Sequence, residues 1–134
     1  FATSDQGGNL IQIDTKGNMV ASKLNLAADH RIYATTKTLV TLSENTINIK
    51  GIPVNLPFGE YTSPKIFYLN NTLYFSTTDL SNQKVYLFYS NGESVEGFPV
   101  YGKSAIDLSN SDKDKSLEML VSTADNSILI YEIN

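Results

Sequence analysis

Cysteine and tryptophan are absent from the 134 residues, and histidine occurs once, at His30. Without thiols there is no thiolate nucleophile, no zinc–thiolate site and no disulfide. The compartment stays open on that ground, because many extracytoplasmic proteins also lack disulfides. A single histidine without H-E-x-x-H spacing leaves a catalytic triad or a zinc centre nothing to build on. Flanked by Asp29 and Arg31, it reads as a loop residue ahead of the run "RIYA". Apolar runs are only a few residues long, against the ~20 needed to span a bilayer. Basic residues are few and scattered: 10 Lys+Arg against 14 Asp+Glu give a net charge of -4 and a pI near 4.8. No basic patch exists to follow a phosphate backbone, which argues against nucleic acid as a partner. A phosphate-binding loop is missing too, since "QGGN" is a hairpin turn and not G-x-x-x-x-G-K-[ST]. Phe1 leads straight into polar residues, without the basic start and apolar stretch of a signal peptide. With no initiating Met, the expectation is a mature product or an excised piece.

What is present is β-forming. The chain is 41% hydrophobic and 18% charged, enough for one domain with a core of its own. β-Branched and aromatic residues come in short runs: "LIQID", "RIYATT", "LVTL", "INI", "KIFYL", "LYFSTT", "VYLFY", "LEMLV" and "ILIYEI". Gly, Asn and Asp punctuate them at "TKGN", "LNNT", "SNGE" and "TADNS". Many short strands separated by such turns predict an all-β sandwich, barrel or propeller. Asn91-Gly92 is the strongest hairpin signal, because a type I′ turn needs positive φ at both central residues. Only "NLAAD" hints at a helical turn.

Self-similarity separates the β options. Three segments share the order run, turn, run, turn, run, then a fourth run containing Pro or Gly. The first-run markers Ile32, Ile66 and Ile106 are 34 and 40 residues apart, and the second-run markers Leu39, Leu73 and Leu117 are 34 and 44 apart. Four strands about every 40 residues is the period of a propeller blade. We therefore expect one β-propeller unit over 1–134, with about four blades of four-stranded antiparallel sheet near 1–28, 29–62, 63–103 and 104–134. The first blade is expected to be entered at its second strand and the last to stop at its third, as part of a larger propeller. "GFPV" and "IPVN" read as outer strands, where Pro is tolerated. Eight Tyr and six Phe concentrate in "IFYLNNTLYF" and "VYLFYS" on both parities, so both faces of those strands carry rings. That pattern suits sheets packed on neighbours from both sides.

Two places carry a hint of chemistry. In "SNSDKDKSLEMLV", Asn110, Asp112, Asp114 and Glu118 stand at relative positions 1, 3, 5 and 9, and Ser116 can add its carbonyl. Alternating oxygens in a tight loop can converge on a hard cation such as calcium. The other reading is a solvated acidic connection whose Asx side chains bond nearby amides. Paired carboxylates for glycoside hydrolysis would meet in space and not in sequence; Glu44, Glu60, Glu93, Glu96 and Asp125 all fall at turns. If the chain binds rather than reacts, the connections around 110–116 and 79–83 are expected together on one rim.

The 110–118 stretch resembles the calcium loops, D-x-D-x-D-G-x-x-D, of FG-GAP and VCBS blades in integrin-like propellers. It departs from them in Asn110 at position 1 and Lys115 at position 6, where the family places Gly for a left-handed turn. Over most of its length the chain resembles the C-terminal propeller region of large envelope proteins, often lipoproteins, of Bacteroidota. The resemblance rests on "ATTKTLVTLSENTINIKG", "TSPKIFYLNNTLYFSTTDL", "FPVYGKSAIDLSNSDKDKSLEMLV" and "NSILIYEIN". It implies a periplasmic or outer-membrane setting and a non-catalytic scaffold or binding role toward protein or glycan. Its only cofactor would be a structural calcium ion at 110–118. The alternative is an accessory propeller module of a secreted carbohydrate-active or other hydrolytic enzyme.

Overall fold

The structure, a computed structural model, describes residues 2–6, 9–23, 30–35, 38–110 and 116–133. Among these there is no helix, and so none long and apolar enough to cross a membrane. Fourteen strands form four antiparallel sheets, each made from strands consecutive in the chain. The first holds β1 (Ala2–Ser4), β2 (Asn9–Ile13) and β3 (Met19–Lys23). The second holds β4 (Arg31–Ala34), β5 (Leu39–Ser43), β6 (Thr46–Ile49) and β7 (Ile52–Asn55). In the third are β8 (Lys65–Leu69), β9 (Thr72–Asp79), β10 (Lys84–Tyr89) and β11 (Val100–Tyr101). The fourth holds β12 (Asp107–Ser109), β13 (Leu117–Ser122) and β14 (Ile128–Ile133). Each sheet is a meander in chain order, and among the described residues no sheet closes into a barrel.

Tight turns make the meanders. At Asn70-Asn71 both residues have positive φ (51° and 59°), the geometry that matches a hairpin turn to strand twist. Lys50 and Gly51 do the same between β6 and β7, with φ of 53° and 88°; the Asn48 side chain accepts from the Gly51 amide at 2.9 Å. The turn after β10 departs from expectation. Only Gly92 has positive φ (86°), and its amide donates to the Tyr89 carbonyl at 3.0 Å. This is a turn closed by a left-handed glycine, not type I′. The Asn91 side chain stabilises it by accepting from the Glu93 amide at 3.0 Å.

The third sheet is the centre of the molecule. Register pairs Phe75 with Phe88 and with Ile66, and Tyr86 with Thr77, on one face. That face packs on Val40, Leu42, Ile47 and Ile49 of the second sheet. The opposite face carries Tyr74, Val85 and Leu87, which pack on Leu108, Leu117, Met119 and Val121 of the fourth sheet. Residues 74–79 of β9 and 85–88 of β10 are all buried for this reason, as expected of strands covered on both faces. Gly102 marks the closeness of the second contact: a Cβ there would lie 2.7 Å from Val85 and 2.5 Å from Val121.

The first strands of successive sheets lie next to one another: β1 touches β4, and β4 touches β8. Polar latches follow the same line. His30, just before β4, places Nε2 2.6 Å from the Ser4 hydroxyl. Arg31, opening β4, donates to the carbonyl of Tyr61 ahead of β8. Lys65, opening β8, donates to the carbonyl of Ile106 ahead of β12 at 3.3 Å. Because β1 is aligned with β4, it occupies a first-strand position; the expected entry at a second strand is corrected by this contact.

Candidate functional site

The 110–118 stretch is the first site to place. Asp112 and Asp114 lie outside the described residues. Asn110 follows β12, and its side-chain amide donates to the Asn70 side-chain oxygen at 3.0 Å. Ser116 is buried, and its hydroxyl donates to Glu132 at 3.0 Å. Glu118 sits within β13, directly between Ser109 on β12 and Glu132 on β14. Asn110 and Ser116 thus direct their side chains to different neighbours. Among the described residues no three His, Cys, Asp or Glu side chains gather as a metal-ligating group.

The expected shared rim falls in part outside the described residues, which hold only Asn110 and Ser116 of the 110–116 connection. Asn110 bonds to the β8–β9 turn, at the start of β9, whereas residues 79–83 form the turn at its other end. Eight residues of strand separate the two by about 23 Å at ~3.3 Å per residue.

The 79–83 end carries the more elaborate construction. Asp79 closes β9 with no solvent exposure. Its carboxylate accepts from the Ser81 amide (3.1 Å), the Ser81 hydroxyl (2.7 Å), the Asn82 amide (3.2 Å) and the Asn82 side chain (2.7 Å). Burial pushes the carboxyl up, but the hydrogen bonds from Asn82 and Ser81 together prevail and hold it below its ordinary value. Gly59 covers this carboxylate so closely that a Cβ would lie 2.4 Å from both oxygens. A residue with a side chain does not fit there.

The 79–83 turn in turn ties down the loop at 57–61. The Ser81 hydroxyl accepts from the Glu60 amide at 3.2 Å, the Leu80 amide donates to the Glu60 carbonyl at 2.7 Å, and Asn82 donates to the Phe58 carbonyl at 3.3 Å. Tyr61 is buried against Tyr86, with ring centroids 6.2 Å apart, and its hydroxyl donates to the Pro57 carbonyl at 2.6 Å. Burial, then Tyr86 and Asp79, push the Tyr61 hydroxyl far above its ordinary range, so it remains a donor. The product of these ties is Phe58, whose side chain stands 88% exposed on a loop fixed at both sides. Beside it Arg31, Leu42, Glu44, Gly59, Glu60 and Tyr61 line a cleft of 180 Å³.

Glu44 and Glu60 thus both line one cleft. Both are exposed, and neither has the apolar enclosure that a general acid needs. The sequence marks Asp79 only as the first residue of the 79–83 connection, and nothing in it marks Phe58. The usable signal was D-x-S-N at 79–82, an Asx-turn pattern; nothing nearby in sequence points to Gly59. Compared with known protein families, with curated proteins and with solved structures, the chain matches none.

Proposed function

We propose that the chain is a non-catalytic binding and scaffold module of a bacterial cell-envelope protein, its sheets acting as propeller blades, on the periplasmic or outer-membrane side. The partner, a protein or a glycan, engages the rim around Phe58. The observation that carries this reading is the exposed Phe58 ring on a loop fixed through buried Asp79. Phe and Arg are among the residue types enriched at interfaces, and holding an exposed ring rigid next to a cleft lined by Arg31 lowers the ordering cost of binding. Support for the blade arrangement comes from consecutive meanders with adjoining first strands and from the third sheet packed on both faces.

The test is capture from envelope extracts and binding to a glycan array, run in parallel for the wild type, Phe58→Ala and Arg31→Ala. Both variants are expected to lose at least tenfold in binding to the same identified partner; Phe58→Ala does so with unchanged thermal unfolding, whereas Arg31→Ala also loses the bond to the Tyr61 carbonyl. Equal binding by all three proteins removes the rim from the function. Glu44 and Glu60 in one cleft favour the second reading, a module of a hydrolytic enzyme. That reading requires glycoside turnover that Glu60→Gln abolishes.

A further inference from the structure

We infer that the cleft beside Phe58 takes a basic side chain, lysine or arginine, of a partner protein. The inference rests on reading the rim around Phe58 as the binding surface, and it names the chemistry of what binds there. Charge is the first argument. Arg31, Glu44 and Glu60 line the cleft, and Asp79 stands directly behind its Gly59 wall, where a Cβ would lie 2.4 Å from both Asp79 oxygens. The Asp79 carboxylate takes its hydrogen bonds from uncharged groups of Ser81 and Asn82. Arg31 neutralises none of the three acids, because its guanidinium donates to the Tyr61 carbonyl and holds the loop instead. Among the described residues, the side chains of Glu44 and Glu60 have neither a hydrogen bond nor an ion pair. Counting Lys84, which stands opposite Asp79 in register, three carboxylates still face two cations. A cationic group from outside is what this arrangement attracts.

Both acids are carried on fixed backbone. The Glu60 amide donates to the Ser81 hydroxyl and its carbonyl accepts from the Leu80 amide. Glu44 lies in the two-residue turn between β5 and β6, closed by the pairing of Ser43 with Thr46. Its φ is 56°, a left-handed value that Gly or Asn adopts with less strain. The chain therefore keeps a carboxylate at the cleft against the preference of the turn.

Size and shape select the occupant. The cleft's 180 Å³ is below the roughly 300–1,000 Å³ that encloses a small-molecule ligand, so it admits one long side chain rather than a whole ligand. A neutral sugar ring brings no positive charge, whereas lysine and arginine bring a charged head on an apolar stem. Leu42 and Tyr61 give the stem an apolar wall, and Glu44 and Glu60 meet the head. The Phe58 ring, 88% exposed beside the cleft, is then free for an apolar residue next to the basic one. A protein segment supplies both, which favours protein over glycan as the partner.

The experiment is an NMR titration of the 134-residue chain, followed at the amides of Phe58, Gly59 and Glu60. The probes are four heptapeptides with one leucine-flanked frame and lysine, arginine, norleucine or glutamate at the centre. The lysine and arginine peptides are expected to bind tightest and the glutamate peptide weakest. That order should flatten in ~1 M salt, where the screening length falls to about 3 Å. Glu60→Gln and Glu44→Asn are each expected to weaken the lysine peptide about two- to fivefold and to leave the norleucine peptide unchanged. Glu44→Asn also eases the left-handed turn, so its urea midpoint is expected at or above that of the wild type, and its loss of binding is not a loss of folding. Peptides that fail to shift these amides at about 1 mM, or a cation preference that survives the double variant, overturn the proposal. So does a neutral glycan whose binding Phe58→Ala abolishes and the double variant leaves intact, a result that keeps the rim as the binding surface. The rim reading falls by itself if Phe58→Ala changes no affinity while the cation preference stays.

Discussion

Asp79 concentrates at one residue what holds the candidate rim together. A carboxylate without solvent exposure is tolerable only when its oxygens are saturated, and four donors from Ser81 and Asn82 do this within the turn. Replacing it with Asn turns one oxygen into a donor facing the donors already there. Asp79→Asn is expected to cost about 1–3 kcal/mol at neutral pH, the range for a buried polar group left unsatisfied. The pH dependence follows from the direction of the shift. The folded carboxyl lies below its ordinary value of 3.8, so its contribution is complete above the unfolded value and is lost as pH falls through the folded one. Exposed Asp14 and Asp125 are shifted the same way by hydrogen bonds, from Asn18 first and from Thr123 first respectively. Urea unfolding is therefore expected to show a gap between wild type and Asp79→Asn that narrows below about pH 4. A gap constant from pH 7 to pH 3 would remove the buried carboxylate from the stability of the turn. The turn itself was legible in D-x-S-N, but its burial was not, because the cover is Gly59, twenty residues earlier in the chain.

At the scale of elements, the strands were the most readable feature. Runs such as "KIFYL", "VYLFY" and "ILIYEI" correspond to β8, β10 and β14, because β-branched and aromatic residues leave the backbone few alternatives to an extended, half-buried surface. Rings on both parities of β9 and β10 correctly signalled burial on both faces. Turns were less readable, since Asn91-Gly92 is compatible with two closures and only the chain around Ser94 and Val95 decides between them: the Val95 amide bonds back to Leu87 at 2.9 Å. The β12–β13 connection keeps both of its readings, because Asp112 and Asp114 lie outside the described residues. Asn110 donates its side-chain amide to Asn70 and Ser116 its hydroxyl to Glu132, contacts made by atoms other than the Asn110 side-chain oxygen and the Ser116 carbonyl proposed as calcium ligands. Glu118 and Glu132 face each other across the β13–β14 pair, a like-charge arrangement that costs stability. A bound cation would relieve that repulsion and raise the unfolding temperature. On the polar-connection reading, excess calcium leaves the midpoint unchanged; an upward shift that Glu118→Gln abolishes would assign the ion to this connection.

Across the whole molecule, burial is distributed unevenly along the stack, and stability must follow it. The third sheet contributes to both hydrophobic clusters, and Phe75, Val85 and Leu87 have no exposed surface. In the first sheet, Leu10 alone among the described hydrophobic side chains is buried, while Met19 and Val20 are mostly exposed. Opening the third sheet uncovers two cores, whereas opening the first uncovers little apolar area, at ~25 cal/mol per Å². Local opening free energies range from near zero up to the global value, so amides of β9 and β10 are expected to exchange with solvent slowest, near the global limit. Those of β2 and β3 are expected to exchange fastest among the strands when the protein is dilute. Slow exchange in β2 at high dilution would instead mean that the first sheet is stabilised within its own chain, and the contact between His30 and Ser4 would have to carry more than a latch between adjoining strands.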